Sequence, residues 1–231
     1  MAAFEYNQLT GHLIIPDSVT SIGSSAFYGT SNGLTNKISS ITWPNNPNFK
    51  TIRENSFIFN KLTSLTFPDS VETIGEAAFA GNANTNRITN ITWPNNPNFK
   101  SIGHLAFQGN LINTLTLPDS VETIGGAAFQ NNQLSIITIP NSVVTIGNGA
   151  FSQNRLTNVI LGTGVQTMDQ GAFSKQSGGG GSFNSNLTSI INPTGRSFDW
   201  ANITTNSIVT PQVFVTGTIT HPNGNITVSA S

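Results

Sequence analysis

The sequence predicts a solenoid of stacked, β-rich coils, and three observations carry that prediction. The segment 62–79 recurs at 112–129, at 134–151 and, more loosely, at 156–173. A phenylalanine closes each coil, and from Phe27 onward it returns after 22, 28 or 30 residues. Between these phenylalanines, apolar residues alternate with polar ones over short stretches, as in strands that bury one face. Units of this length bury their apolar residues only by stacking on one another.

The first strand of each coil follows the pattern Leu-x-x-Leu-x-Leu, and a proline ends it because proline has no N–H for a strand ladder. Its inward positions form two columns: Leu13, Ile41, Leu65, Ile91, Leu115, Ile137, Val159 and Ile190, then Ile15, Trp43, Phe67, Trp93, Leu117, Ile139 and Leu161. The residues between these columns point outward by strand alternation. They are Ile14, Thr42, Thr66, Thr92, Thr116, Thr138, Ile160 and Ile191.

A second, shorter strand follows the proline. Its inward columns are Val19, Phe49, Val71, Phe99, Val121, Val143 and Val165, then Ile22, Ile52, Ile74, Ile102, Ile124, Ile146 and Met168. The outward column contains Lys50, Glu72, Lys100 and Glu122, whose charges alternate in sign. Opposite charges on neighbouring strands attract. The alternation therefore predicts that successive coils stack in register.

Each coil is expected to close with one turn of α- or 3₁₀-helix, as in the segment 75–79, and with a phenylalanine that fills the core. The phenylalanine column is Phe4, Phe27, Phe57, Phe79, Phe107, Phe129, Phe151 and Phe173. Three residues later comes an asparagine column, predicted to bond loop backbone of its own and the next coil: Asn60, Asn82, Asn110, Asn132 and Asn154. An aspartate after the proline, at Asp17, Asp69 and Asp119, is expected to bond its own turn.

These columns resemble the BspA-type bacterial leucine-rich repeat, whose pattern is L-x-x-I-x-I-P-x-S-V-x-x-I-G-x-x-A-F, over roughly residues 2–193. The proline column is Pro16, Pro44, Pro68, Pro94, Pro118 and Pro140, and the glycine column is Gly23, Gly75, Gly103, Gly125 and Gly147. Gly162 departs from the first column, and Arg53 and Asp169 depart from the second, which puts the local turn geometry there in doubt. The resemblance implies a right-handed leucine-rich repeat coil with parallel first strands on a concave face and the second strands and turns on the convex side.

The predicted domain organisation is a solenoid over 1–195, with about seven full coils and a partial coil at each end. Residues 196–231 are either a C-terminal cap with a β-hairpin around Asn223-Gly224 or the start of a following domain. Residues 2–9 match 127–134, so the chain opens inside a repeat. This predicts a fragment of a longer protein, the alternative being a native start that uses half a coil as a cap. The loop 174–186, with its four consecutive glycines, is either a solvated insertion or a contacting tip.

Composition excludes several classes of function. The 231 residues carry a formal net charge of −1, only 8% are charged, and polarity comes mainly from 30 Asn, 29 Thr and 24 Ser. A near-neutral chain lacks the basic surface of a nucleic-acid binder, and no apolar run is long enough for membrane insertion. Cysteine is absent, and His12, His104 and His221 fall at unrelated coil positions. We therefore expect no enzyme, no cofactor and no metal.

What remains is a surface for recognition. The family resemblance implies a secreted or cell-surface bacterial protein that resembles adhesins, with a host or neighbouring-cell protein or a glycan as partner; we expect a monomer. The candidate site is the concave face, uncharged and more apolar toward its C-terminal half: Thr92, Thr114, Thr116, Ile136, Thr138, Asn158 and Ile160. The alternatives are a structural spacer of a large surface protein and an ice-binding threonine ladder, which needs a flat face.

Overall fold

The computed structural model describes residues 3–32, 35–169, 171–174, 187, 189–192, 217–221 and 224–228. The first strands of the coils are β1 (Thr10–Ile14), β3 (Lys37–Thr42), β5 (Ser64–Thr66), β7 (Asn90–Thr92), β10 (Ile136–Thr138), β12 (Asn158–Ile160) and β14 (Ser189–Ile191). The second strands are β2 (Ser21–Ile22), β4 (Thr51–Ile52), β6 (Thr73–Ile74), β8 (Ser101–Ile102), β9 (Thr123–Ile124), β11 (Thr145–Ile146) and β13 (Thr167–Met168). The protein is a parallel-strand β-solenoid of about six turns with the leucine-rich repeat fold.

The coils stack in the register that the columns predict. Ile137 lies beside Val159 and then Ile190, and Leu65 lies beside Ile91. The second strands form one parallel sheet of seven. The first strands form three separate sheets, β1-β3, β5-β7 and β10-β12-β14. Residues 114–116 form no strand, which interrupts the ladder between β7 and β10. The inward columns of both strand sets are buried or packed against one continuous core.

The phenylalanine column is a stack of rings through the core. Neighbouring rings lie nearly parallel with centroids 5.0 to 5.6 Å apart, from Phe4 on Phe27 to Phe151 on Phe173. Six of the eight rings, from Phe57 onward, are fully buried. Trp43 and Trp93 meet this stack edge-on, at 5.7 Å from Phe57 and 5.4 Å from Phe107. The predicted core plugs are confirmed from Phe27 to Phe173, whereas Phe4 is 47% exposed at the end of the stack.

The closing turn is not the predicted α- or 3₁₀-helix. Among the described residues, Ala77 in this turn has a positive φ of 48°. The equivalent residues of other coils, Ser25, Leu105 and Ala127, also have a positive φ. A left-handed residue stops a right-handed helix from forming. The turn instead donates to the next coil, as when the Phe79 N–H bonds the Ala106 carbonyl at 2.9 Å. The turns thus form a third backbone ladder along the stack.

The asparagine column satisfies buried backbone on two coils. The Asn132 side-chain amide donates to the Phe107 carbonyl of the preceding coil at 3.0 Å and to the Phe129 carbonyl of its own coil at 3.1 Å. Its Oδ1 accepts from the Ile112 N–H at 3.0 Å, at the start of its own coil. Buried asparagines repeat this arrangement at Asn60, Asn110 and Asn154. The second coil that they bond is therefore the preceding one, not the next.

Asn82 is not part of this column, which is a correction. The buried asparagine of that coil is Asn86, whose Oδ1 accepts from the Leu62 N–H at 3.0 Å and whose amide donates to the Phe57 carbonyl at 2.8 Å. Each buried asparagine of the column lies a constant number of residues before the first apolar residue of the next coil, whereas its separation from the preceding phenylalanine varies. In this coil a longer loop separates the phenylalanine from the asparagine. Asn82 instead organises that loop, accepting from the Asn84 N–H at 2.8 Å.

Two of the three aspartates that follow a proline have a different partner from the one predicted. Asp17 Oδ1 accepts from the Asn45 N–H at 2.8 Å, and Asp69 Oδ1 accepts from the Asn95 N–H at 2.9 Å. Both bonds join one coil to the next instead of closing the residue's own turn.

Arg53 and Asp169 keep the turn geometry of the glycine column. The Arg53 N–H and the Asp169 N–H each bond a carbonyl of the preceding coil, at 3.1 and 2.9 Å respectively.

The alternating charge row is confirmed as an in-register feature. Lys50 Nζ lies 2.5 Å from Glu72 Oε1, and Lys100 Nζ lies 2.7 Å from Glu122 Oε1, each pair joining consecutive coils. The hydrogen bond from Lys50 lowers the pKa of Glu72 below its ordinary value. A carboxylate with a lowered pKa stabilises the fold above its unfolded-state pKa, and the stabilisation is lost as the pH falls through the folded one.

We expect Glu72→Gln to lower the melting temperature slightly at pH 7, because an exposed ion pair contributes little. The difference between parent and variant should disappear in acid, below the ordinary glutamate pKa of 4.5. Thermal melts followed by circular dichroism between pH 3 and pH 7 measure this. Glu76→Gln, at an exposed carboxylate without an ion pair among the described residues, is the control and should melt like the parent at pH 7.

Toward the C-terminus, β15 (Gly217–His221) and β16 (Gly224–Val228) pair antiparallel, with His221 opposite Gly224, so a hairpin forms there as predicted. Gly224 begins the second strand, and the two residues that connect the strands are 222 and 223. The proposed cap residues 196–216 and the glycine-rich loop 175–186 lie outside the described residues. No helix in the described ranges is long and apolar enough to span a membrane.

Candidate functional site

The first-strand face is formed by the outward residues of the first strands. One row holds His12, Ser40, Ser64, Asn90, Thr114, Ile136 and Asn158, and the second holds Ile14, Thr42, Thr66, Thr92, Thr116, Thr138, Ile160 and Ile191. All of these side chains are exposed except that of Ile160, which is half-buried. Neither row contains an acidic residue, a lysine or an arginine. The face is therefore a surface of hydroxyl and amide groups interrupted by isoleucines.

Four of the predicted site residues come together on β10 and β12. Ile136 pairs with Asn158, and Thr138 pairs with Ile160, which in turn pairs with Ile191 of β14. Ile136 is 53% exposed and Ile191 is 37% exposed. The three isoleucines thus lie within one three-stranded sheet, two on adjacent strands and the third diagonal to them. They form the apolar group of this face.

The other predicted residues, Thr92, Thr114 and Thr116, lie where the first-strand sheet is interrupted. Thr92 ends β7, whereas the other two belong to the coil that forms no strand there. Thr92 and Thr116 line a cleft of about 740 Å³ between the two coils, together with Trp93, Leu117 and residues of the two proline turns. The row of threonines consequently does not lie on one continuous sheet.

The cleft exists because the two coil types differ in shape. The coil 91–100 carries the longer Pro-Asn-Asn-Pro turn, which is tied to the coil before it through the Asp69–Asn95 bond and through the Asn96 amide, 3.2 Å from the Val71 carbonyl. The coil that follows has the shorter turn. Trp93 Nε1 and Ser120 Oγ are buried without a hydrogen-bond partner among the described residues, and both residues line this cleft.

The histidines do not assemble a reactive site. The ring of His12 lies on the first-strand face, with Nδ1 at 2.8 Å from Ser40 Oγ and Nε2 at 2.9 Å from Thr42 Oγ1. His104 lies in an exposed turn, and His221 ends β15. Within the described ranges, no three His, Cys, Asp or Glu residues lie close enough to hold a metal ion.

Comparison with protein-family models identifies the repeat. The model of the BspA-type leucine-rich repeat region matches residues 1–89 and 83–204, in six copies. The chain belongs to the BspA-type leucine-rich repeat family. The BspA-type pattern thus accounts for the columns described above, from the strand leucines to the closing phenylalanines. No curated protein sequence matches the chain.

Solved structures with a similar fold include three leucine-rich repeat proteins. The chain is 16% identical to the pneumococcal vaccine antigen PcpA (90% of this chain, 67% of the antigen, TM-score 0.40). It is 21% identical to a leucine-rich cell-surface protein of Faecalibacterium prausnitzii (80% and 67%, TM-score 0.42). It is 19% identical to a leucine-rich repeat protein of Bacteroides ovatus (79% and 66%, TM-score 0.34). This BspA-type chain spans about two thirds of each.

Sequence reasoning placed the exposed isoleucines on the BspA-type first-strand face but missed the cleft. Trp93 was assigned to the core, and it does pack there, but it is also half-exposed at the cleft wall. The available signal was the identical segment at 41–50 and 91–100, which has no equivalent in the shorter coils. A change of coil type between neighbours predicts a step in the surface wherever the two meet.

Proposed function

We propose that the chain is a non-enzymatic protein-recognition or adhesion module that binds a protein partner through the first-strand face. The observation that carries the proposal is the apolar group of exposed Ile136 and Ile191 with half-buried Ile160, on a face that otherwise presents hydroxyl and amide groups. Covering such a group releases water from apolar surface, which contributes to the free energy of association. The extended surface of a solenoid is the part that repeat proteins use for partners.

The cleft beside Trp93 extends this surface toward the N-terminal coils. Its lining combines an indole, a leucine and two threonine hydroxyls. Tryptophan is enriched among the residues that contribute most to protein interfaces. A partner that covers the apolar group and inserts one side chain into the cleft would contact Ile136 and Ile160 together with Thr92 and Thr116.

The location that we propose is the bacterial cell surface or the secreted fraction. The support is membership of the BspA-type family, whose repeats are found in surface and secreted bacterial proteins. The uncharged first-strand face fits this role, since its contacts with a partner would be insensitive to salt.

Replacing both Ile136 and Ile160 with aspartate is expected to reduce binding to cultured epithelial cells or to an extracellular-matrix coat by at least about tenfold, because two buried-interface isoleucines become charged. Fluorescently labelled protein and flow cytometry measure the binding. Val144→Asp, just before β11 and in the column of Lys100 and Glu122, is the matched control and should bind like the parent. Because Ile160 is half-buried, Thr138→Arg tests the same surface at an exposed residue.

The alternative function is a structural spacer within a large surface protein. It predicts that the parent chain binds neither cells nor matrix while remaining folded. It also predicts that the variants on the first-strand face and the Val144→Asp control show the same level of binding as the parent. Unchanged binding of Ile136→Asp/Ile160→Asp and of Thr138→Arg, with both proteins folded, would contradict a site on the first-strand face.

A further inference from the structure

One column of the solenoid holds four basic residues among its six members, beginning with Lys37 at the start of β3. It is formed by the residue just before the first inward apolar residue of each coil: Lys37, Lys61, Arg87, Leu111, Gln133 and Arg155. The backbone N–H of each donates to a carbonyl of the preceding coil, at 2.6 to 3.0 Å. The backbone ladder therefore fixes these six residues in register, one per coil.

Two of these residues, Arg87 and Arg155, line one pocket of about 280 Å³. They are three coils apart, which corresponds to about 14 Å between their backbones at the usual strand spacing. Leu111 and Gln133 lie between them in the column and also line the pocket, as do the neighbouring Asn82 and Asn131. The two long side chains thus reach toward the same space from its two ends.

No carboxylate lines this pocket. The ion pairs among the described residues use Lys50 and Lys100 on the second strands, and neither arginine takes part in one. Both arginines are exposed. Guanidinium is the side chain best suited to bind carboxylate or sulfate oxygens, so two of them at one small pocket favour an anionic ligand.

We propose that this pocket binds an anionic group of an acidic polysaccharide, with the chain of the polysaccharide running along the column. The arginines would hold the acidic group, and the side-chain amides of Asn131 and Gln133 would bond sugar hydroxyls. Lys61 and Lys37 continue the positive column for two further coils, so an elongated ligand with repeated negative groups matches it better than a single small ion. A nucleic acid fits less well, since no aromatic side chain lines the pocket for base stacking.

The test uses the full chain and calorimetric titration with three probes of similar length: a uronic-acid oligosaccharide, a neutral dextran oligosaccharide and single-stranded oligo-dT. The parent is expected to bind the uronate, more weakly as salt is raised, and not to bind the dextran. Arg87→Gln and Arg155→Gln should each weaken binding by about tenfold, the contribution of one charge-assisted hydrogen-bond pair. Arg53→Gln, an exposed arginine outside the pocket, is the control and should bind like the parent.

Gln133→Arg tests the proposal through a gain of binding affinity instead of a loss. It adds a guanidinium between the two existing ones and should tighten uronate binding severalfold. The proposal is overturned if the parent fails to bind the uronate, if dextran or oligo-dT binds as tightly, or if Arg53→Gln weakens binding as much as Arg87→Gln does. It is also overturned if Gln133→Arg leaves the affinity unchanged.

Discussion

Phe129→Ala is expected to lower the free energy of unfolding by about 3–5 kcal/mol, the range observed when a buried aromatic ring is truncated. The ring is fully buried and stacks between Phe107 and Phe151, with centroids 5.6 and 5.5 Å away. Its neighbours belong to the coils on either side, and their backbones are held by the hydrogen-bond ladders. The coils therefore cannot close over the cavity without breaking their register.

Chemical denaturation followed by tryptophan fluorescence measures this loss, because Trp93 lies 6.3 Å from the Phe129 ring. Phe4→Ala is the matched control at the end of the same stack, where the ring is 47% exposed and stacks on Phe27 alone. It should cost about 1 kcal/mol or less, since little buried area is lost. Equal stabilities of Phe129→Ala and the parent would show that the phenylalanine column is not the core.

Asn132→Ala is expected to cost about 3 kcal/mol, although the side chain is polar. It leaves the buried Ile112 N–H without its acceptor and removes one donor from each of the Phe107 and Phe129 carbonyls. An unsatisfied buried backbone group costs about 1–3 kcal/mol. The two carbonyls keep a second donor, from Asn110 and Asn154, so they contribute less.

Asn132→Asp separates the hydrogen bonds from the volume of the side chain. A buried carboxylate cannot donate to the two carbonyls, so its folded-state pKa is raised above the unfolded one. The variant should consequently gain stability relative to neutral pH as the solution is acidified. Asn113→Ala, at an exposed asparagine nearby, should lie within about 0.5 kcal/mol of the parent. If Asn132→Ala lost no more stability than Asn113→Ala does, the bridging role of Asn132 would be refuted.

The columns that depend on side-chain volume and alternation were predictable from sequence. Ile137, Val159 and Ile190 had to be neighbours because each coil repeats the same pattern, and the Lys50–Glu72 pair is explained by the same register. The exposed positions of Ile136 and Thr138 followed from strand alternation. These features depend on residue spacing within a coil, which the sequence states directly.

Features that depend on backbone conformation or on contacts between unlike coils were not predictable. A positive φ at Ala77 cannot be read from alanine, which strongly favours negative values. From the sequence, Asn82 and Asn86 both fit the asparagine column. The structure shows that the extra loop residues lie between Phe79 and Asn86, so Asn86 is the buried member and Asn82 belongs to the loop. The cleft at Trp93 and the pocket at Arg87 arise between coils, so no single repeat contains them.

The most direct test of the proposed first-strand binding site is photo-crosslinking with p-benzoylphenylalanine placed at position 138 or at position 166. Thr138 is exposed on the first-strand face, and Gln166 is exposed just before β13, in the column of Lys100 and Glu122. Each protein is bound to epithelial cells or to the matrix coat, irradiated, and analysed for a covalent adduct with a protein of the cell or coat. We expect an adduct from position 138 and none from position 166. An adduct from position 166 alone, or equal adducts from both, would contradict binding through the first-strand face.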